Sequence, residues 1–445
     1  MADRISELLG DMPDTPAGRQ LRWDLTMRMT EGEGASIDDL SRFAPTLTNW
    51  KGVETTERVR EIWRDNAKWI GEIVDVSLES ASEFSGKALL ATSKGRKWAL
   101  SIDVEPVPPH RITRWELERQ HEFQLDVREA GEADAAILAD IERRCPIVLG
   151  ETEVYFDRGD DYLAFSRLME DCTIGIASVD GVPAAVSCGA KHTVRVGGVL
   201  RPIITVSHLR VLPEHQRKGL WGAANRALNK YWPAVDGSNA YISEDNAGMR
   251  HGFANTPNKW DVPVLRMQLP CVALAGPAAG RPATPSDAET IVGLLNAFHG
   301  AEEMFVPYTT ASLTARLERA SAQYGWDKMW LADGALVGVW PAGNSLRVVS
   351  QTKGVRTESV RGVVLDYAFA PGAEATFEAL LRAWCGWLAA RSMDRLSIFT
   401  SPPSPGADAL RALASEVEAF TMWTPGIEAP ADADRHGLYV DPIYF

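Results

Sequence analysis

Cysteine is scarce in this chain of 445 residues. The five present, Cys145, Cys172, Cys188, Cys271 and Cys385, are scattered and odd in number. No CxxC pair and no Cys/His cluster occurs. A disulfide framework and a zinc site are therefore excluded as expectations, no metal is called for, and reduced thiols are expected. Long hydrophobic runs are missing too. No stretch of 18 apolar residues occurs, so no transmembrane helix and no membrane partner are expected. The opening MADRISELLGDMPD lacks the basic start and apolar stretch of a signal peptide. A cytoplasmic protein is the expectation. Positive charge is in deficit, with 46 Lys and Arg against 60 Asp and Glu and a net charge of −14. That speaks against nucleic-acid binding, which needs a basic footprint. An acidic surface suits either the attraction of a cationic amine or plain solubility.

What is present is enough apolar material for real cores: 45% hydrophobic and 24% charged residues. The length suggests two or three domains. Pro106-Val107-Pro108-Pro109-His110 and the Ala/Gly/Pro-rich stretch from Ala273 to Pro285 read as linkers. They divide the chain into 1–118, 120–270 and 281–445. In the first part, Leu21, Leu25, Met27 and Met29 pattern a helix, and a second is expected near Val59, Ile62 and Trp63. Trp98, Leu100, Ile102 and Val104 alternate as a strand after a Lys94-Gly95 turn. This α+β layout resembles NTF2-like accessory domains, which implies a scaffold or dimerisation element; a homo-oligomer is compatible with it.

The second and third parts repeat one another. Arg128-Glu129-Ala130 leading to Asp134-Ala135 returns as Arg281-Pro282-Ala283 leading to Asp287-Ala288. Asp180-Gly181 between apolar stretches returns as Asp333-Gly334. Both offsets are 153 positions (128 to 281, 180 to 333). Each unit reads as a strand, an acid-capped helix, a variable loop and a hairpin turning at Asp-Gly. Two tandem copies of one α/β (α+β) fold are expected.

The segment from Ile203 to Trp232 carries the chemistry. Ile203 to Val211 reads as a buried strand, Pro213-Glu214-His215 as a turn, and Gly219 onward as a helix with Leu220, Ala223, Ala224, Ala227 and Leu228 on its apolar side. A strand, a basic glycine turn and a helix start form an anion site, because the first helical amides are unpaired and the helix dipole adds positive potential. Glycine admits a phosphate close to the backbone. No Gly-Lys-Ser/Thr follows, so this is not a Walker A loop, and the three-glycine spacing of a dinucleotide fold is missing.

Gln216-Arg217-Lys218-Gly219-Leu220-Trp221 resembles the acyl-CoA loop of the GNAT acyltransferase superfamily, whose pattern is Arg or Gln, two residues, Gly, any residue, then Gly or Ala. Five positions match. Trp221 departs from the sixth, with Gly222 directly after it. The opening strand Phe123–Arg128, the helix from Asp134, and the strand Ala240–Ser243 followed by Asp245-Asn246 also match the family's layout. The resemblance covers 120–270 well and 281–445 in outline. It implies a mixed central sheet of the GNAT type and acetyl-CoA, or another acyl-CoA, as cofactor. Backbone groups around Leu209 and Val211 would hold the pantetheine arm, residues 216–222 the pyrophosphate, and Asn246 would open the next helix. In the third part, the strand Val363–Phe369 is followed by Ala370-Pro371-Gly372-Ala373-Glu374, which has no such loop. That copy is expected to have lost cofactor binding.

For catalysis, His208 has the intrinsic pKa of a general base but stands beside the wrong strand register. One branch of the superfamily has histidines at what are here Thr205 and Ser207. Strict alternation puts those two on one face and His208 on the other, unless a bulge turns His208 toward the cleft. A core histidine is the alternative reading. The family's tyrosine acid falls at Phe253, which cannot donate a proton, leaving Tyr241 and His251 as substitutes. The acceptor loop by resemblance is Pro146–Tyr162, where Glu151, Asp160 and Asp161 lie among Tyr155 and Tyr162, a set suited to an ammonium group. A solvated loop is its alternative. Three readings stay open: acetyl transfer to the primary amine of a small molecule, acyl transfer to a protein lysine or N-terminus, and an acyl-CoA-binding regulator without chemistry.

Overall fold

In the computed structural model the chain forms two units, Met1–Gln124 and Leu125–Phe445. The described residues are 2–10, 12–31, 41–44, 60, 63–64, 67–68, 70–120, 123–159, 161–216, 218–222, 235–253, 259–273, 279–430 and 437–444.

The first unit opens with helices α1 (Ala2–Leu9) and α2 (Pro16–Met29). Thr15 caps α2 by accepting from the Gly18 amide at 3.1 Å, and Pro16 occupies the first turn, where its missing N–H costs nothing. A four-stranded antiparallel meander follows: β1 (Ile73–Ala81), β2 (Ser85–Thr92), β3 (Lys97–Val104) and β4 (Ile112–Gln120). The expected strand is β3, with Trp98, Leu100, Ile102 and Val104 all buried in one core with Leu21, Leu25 and Trp63. Val59 and Ile62 lie outside the described residues. A buried ion pair, Arg28 Nε to Asp24 at 2.6 Å, sits in this core, and Trp63 Nε1 also donates to Asp24 at 3.2 Å.

The second unit is built on one large mixed sheet. Its first half contributes β5 (Leu125–Glu129), helix α3 (Ala135–Arg144), the hairpin β6 (Ile147–Leu149) and β7 (Thr152–Asp157), then β8 (Cys172–Val179), β9 (Val182–Val196), β10 (Val199–Val211), β11 (Gly237–Ser243), helix α4 (Ala247–Phe253) and β12 (Lys259–Pro270). The second half contributes β13 (Arg281–Pro282), α5 (Ala288–His299), α6 (Thr310–Arg319), β14 (Met329–Ala332), β15 (Ala335–Thr352), β16 (Val355–Phe369), α7 (Glu374–Ala389), β17 (Arg395–Thr400), α8 (Ala407–Leu413) and β18 (Glu416–Pro425). The strands of both stretches set apart by composition thus share one sheet.

The spatial order is β13-β14-β15-β16-β17-β12-β18-β11-β10-β9-β8-β5, with β7 pairing the far end of β15. The two halves exchange a strand. β12, which follows β11 in the chain, pairs with β17 of the second half, while β18 of the second half pairs with β11. β12 and β18 pair with each other antiparallel in the middle, Val264 opposite Phe420.

Matching local geometry accompanies the sequence repeat. Arg128 grips Asp134 through two bonds of 2.8 and 2.6 Å, and Arg281 grips Asp287 at the same two distances. Each aspartate also accepts a backbone amide, Gly131 N at 2.9 Å and Thr284 N at 2.8 Å. The β8–β9 and β14–β15 hairpins turn at Asp180-Gly181 and Asp333-Gly334. In each half one parallel pair is short: Ile203–Thr205 on Gly237–Asn239, and Arg361–Val363 on Arg395–Ser397. Beyond three residues each pair diverges.

Candidate active site

The split between β10 and β11 is the centre of the site. After Thr205 and Asn239 the two strands no longer pair, so backbone groups of the following residues face an opening. A second irregularity lies on the other edge of β10. Ser207 stands opposite Cys188 and Arg210 opposite Val186, so three steps on β10 meet two on β9. This is a β-bulge. Within it His208 takes φ +51°, a left-handed conformation uncommon for a residue with a β-carbon. The bulge breaks the alternation expected from the sequence, and His208 and Ser207 both line the opening.

The opening is a cavity of about 250 Å³. Val206 to Arg210 and Ala240 to Ser243 form one end. Val154, Phe156 and Arg158, alternate residues from β7 onward, form a wall with Phe165. Trp340, Leu346 and Val348 of β15 and Pro442 to Tyr444 near the C-terminus close it. At the far end Arg266 forms a bidentate pair with Glu418, one bond being 3.1 Å. Arg361 lies beside them and is held by Gln268 (2.9 Å) in the amide orientation that satisfies both. Burial, then the charge of Arg266, lowers the Arg361 pKa to about 10.

His208 is tightly defined. Its ring stacks on Phe165 with centroids 4.1 Å apart. Arg158 donates to Nε2, and since a guanidinium only donates, Nε2 is the unprotonated nitrogen. Nδ1 then carries the proton and donates to Ser207 Oγ at 2.9 Å. Burial, followed by the charges of Arg158 and Arg210, pushes the His208 pKa well below the usual imidazole value. The ring is neutral at pH 7. Arg210 itself is paired with the fully buried Glu142 at 2.8 Å, and its Nη1 donates to the Leu209 carbonyl at 2.9 Å.

Thr205 is buried and does not line the cavity. Its hydroxyl donates to Asn239 Oδ1 (2.5 Å) and accepts from His192 Nε2 (2.8 Å), tying β9, β10 and β11 together. Tyr241 and Asn246 line the cavity, and burial raises the Tyr241 pKa. Asn246 Oδ1 accepts from the Met249 amide at 3.1 Å and so caps α4. His251 lies on α4, but its side chain is outside those described.

Past β10, Gln216 Nε2 donates to the Val211 carbonyl at 3.3 Å. Lys218 is half-buried and 3.4 Å from His215 Nδ1. Gly219 has φ +82°, a conformation that suits glycine alone, and a helix starts at Leu220, whose side chain is buried. Trp221 and Gly222 continue that helix. Arg217 lies outside the described residues. A left-handed glycine directly before the first helical amides fits an approaching phosphate.

The expected acceptor loop is instead the β6–β7 hairpin and its exit. Glu151 pairs with Lys353 on the surface (2.9 Å) and Asp161 with Arg167 (2.7 Å). Tyr162 is buried and donates to Glu142 at 3.1 Å. Tyr155 points to the face of β7 opposite Phe156, away from the cavity. None of these four lines the cavity, and Asp160 lies outside the described residues. Sequence reasoning missed Arg158. The available signal was the period-two run Val154, Phe156, Arg158.

Among the described residues no group of three or more His, Cys, Asp or Glu could hold a metal, and no helix is long and apolar enough to cross a membrane.

Compared by sequence, the chain matches no protein-family model and no curated protein. Solved structures do resemble it. Saccharomyces cerevisiae N-myristoyltransferase with bound myristoyl-CoA and inhibitors superposes with a TM-score of 0.51 at 11% identity, covering 76% of this chain and 89% of that one. A GCN5-related N-acetyltransferase from Sphaerobacter thermophilus gives 0.41 at 14% identity, covering 68% and 97%. One from Kribbella flavida gives 0.35 at 12%, covering 68% and 71%. The fold is therefore a mixed α/β sheet of the GNAT type.

Proposed function

We propose that this protein is an acyl-CoA-dependent N-acyltransferase that transfers acetyl from acetyl-CoA to the primary amine of a small molecule, by direct attack in a ternary complex. The observation that carries the reading is the path of one strand. β10 diverges from β11, bulges at His208 into a cavity, and runs on to a left-handed glycine at a helix start. Diverging backbone suits a thioester arm and the glycine turn suits a diphosphate. Gln216, Lys218, Gly219, Leu220, Trp221 and Gly222 are the described residues that would hold the pyrophosphate.

In this reading residues 120–270 and 281–445 are two GNAT-like copies, and the second has lost the cofactor. In its place Glu374 Oε1 accepts from the Gly372 amide at 3.2 Å, so a carboxylate stands where a phosphate would have to bind. We place the protein in the cytoplasm, in keeping with its free cysteines. His208 is the assigned base. A neutral imidazole accepts the proton released as the amine attacks, and Ser207 fixes its tautomer.

The test pairs calorimetric titration of coenzyme A with release of free thiol from acetyl-CoA across a panel of amines. Binding with turnover is expected. Binding without turnover would make the protein a regulator that senses acyl-CoA, and no binding would end the reading. The likeness to an N-myristoyltransferase structure holding myristoyl-CoA brings longer acyl donors into the same panel.

A further inference from the structure

Arg158 is the anomalous charge of the site. It is 5% exposed, and among the described residues no carboxylate pairs with it. Among the described residues its one hydrogen-bond partner is the neutral His208 ring, and its Nε has none. Aromatic faces enclose the guanidinium, with Phe165 at 4.1 Å, Tyr162 at 5.5 Å and Phe156 at 5.6 Å from ring centroids. Glu142, which bonds Arg210 and Tyr162, is spent on them. The charge of Arg158 is thus left unmatched, and it lines the cavity. Burying an unpaired cation is costly, and such a group is a receptor for an anion brought from outside. At the far end of the cavity Arg266 holds Glu418, and Arg361, which likewise pairs with no carboxylate among the described residues, is held by the Gln268 amide oxygen, whereas Arg158 meets only the His208 ring and aromatic faces.

Resting on the N-acyltransferase reading, we propose that the acceptor is an amine bearing a carboxylate, of the apolar amino-acid class, and that Arg158 receives that carboxylate. A purely cationic amine would meet Arg158 and Arg210 with repulsion, whereas a zwitterion brings its own counter-charge. The walls beside Arg158, including Phe156, Phe165 and Val348, suit an apolar side chain. Engagement of Arg158 also vacates His208 Nε2, the atom it otherwise occupies. The ammonium of the bound zwitterion first gives one proton to solvent, and the freed lone pair attacks the acetyl carbonyl carbon, forming the C–N bond. The C–S bond breaks, coenzyme A leaves as thiolate, the second amine proton passes to His208 Nε2, and solvent protonates the thiolate. Binding of the correct acceptor thereby uncovers the base.

The full-length chain is assayed for thiol release with acetyl-CoA and L-phenylalanine, L-leucine, L-phenylalaninamide and phenethylamine. The free amino acids are expected to exceed the amide and the amine by at least about a hundredfold in kcat/KM, the discrimination of a site with a buried polar group to satisfy. In Arg158→Gln that ratio is expected to collapse toward one, with coenzyme A binding by calorimetry as the check on folding. Equal use of amide and amino acid by the unaltered protein overturns the proposal, as does a ratio unchanged in the variant. Succinyl-CoA with phenethylamine tests the other source of a carboxylate; an Arg158-dependent preference for that donor overturns the assignment to the acceptor. If coenzyme A binds and no amine turns over, thermal shift with the N-acetyl amino acids decides, and no Arg158-dependent stabilisation counts against the proposal. Loss of coenzyme A binding by the unaltered chain instead removes the reading beneath it.

Discussion

Arg158 donates to Nε2 of His208 across 50 positions of sequence, so the unprotonated nitrogen of that ring is covered by a cation. This pairing fixes the protonation state of His208 and makes the chemistry depend on what draws Arg158 away.

His208→Gln should lower kcat about a hundredfold, the usual contribution of a positioned proton acceptor. Coenzyme A affinity should stay within about twofold, because the side chain lines the cavity and the Gly219 turn does not. Steady-state kinetics with parallel calorimetry would check this, and equal loss of both would assign His208 a packing role.

Gly219 should be intolerant of any β-carbon. Gly219→Ala places an L residue at φ +82° and is expected to weaken coenzyme A binding about tenfold, from a strain of about 1–2 kcal/mol. Gly219→Glu adds a negative charge at the helix start and should weaken it more than about a hundredfold. Titration calorimetry reads both.

His192 gives a prediction for pH. Burial pushes its pKa down to about 4, against about 6.5 in an unfolded chain. Above pH 6.5 both states are neutral and the residue is indifferent. As pH falls toward 4 the unfolded chain takes up a proton that the folded one refuses, so stability falls by about 3 kcal/mol and then levels off below pH 4. His192→Gln keeps a donor for Thr205 and should flatten that part of the Tm-against-pH curve.

Arg316 clamps the C-terminal segment. It bonds Asp441 at 2.8 and 3.1 Å and Asp366 at 3.2 Å, with Tyr324 also donating to Asp366 at 2.6 Å. Arg316→Met leaves two carboxylates facing one another in a buried place and should cost about 3–5 kcal/mol in urea unfolding. Asp441→Asn, which keeps a hydrogen-bonding group, should cost about 1–2 kcal/mol.

What was legible in the sequence was local. The Arg128–Asp134 and Arg281–Asp287 grips span six residues each, so their matching residues could be read directly from the chain. Strand β10 and the Gly219 turn are likewise contiguous, and the bulge that brings His208 into the cavity was one of two registers the strand allowed. The rest depends on distant partners. The charges of the β6–β7 hairpin looked like an acceptor site because composition does not say which charges are already matched; Lys353 and Arg167 neutralise Glu151 and Asp161. Arg158 was hidden for the converse reason, since an unmatched cation is recognised only when its surroundings are known. The Arg316–Asp441 clamp joins positions 125 apart and left no local pattern.

The exchange of β12 and β18 has a consequence for how this protein can be cut. Cleavage in the stretch between Pro270 and Arg281 would not release two smaller folded proteins. Each fragment would carry a strand shaped for the other and an open edge where its neighbour had been. Mixed together, the fragments should reassemble by complementation, and kept apart they should aggregate.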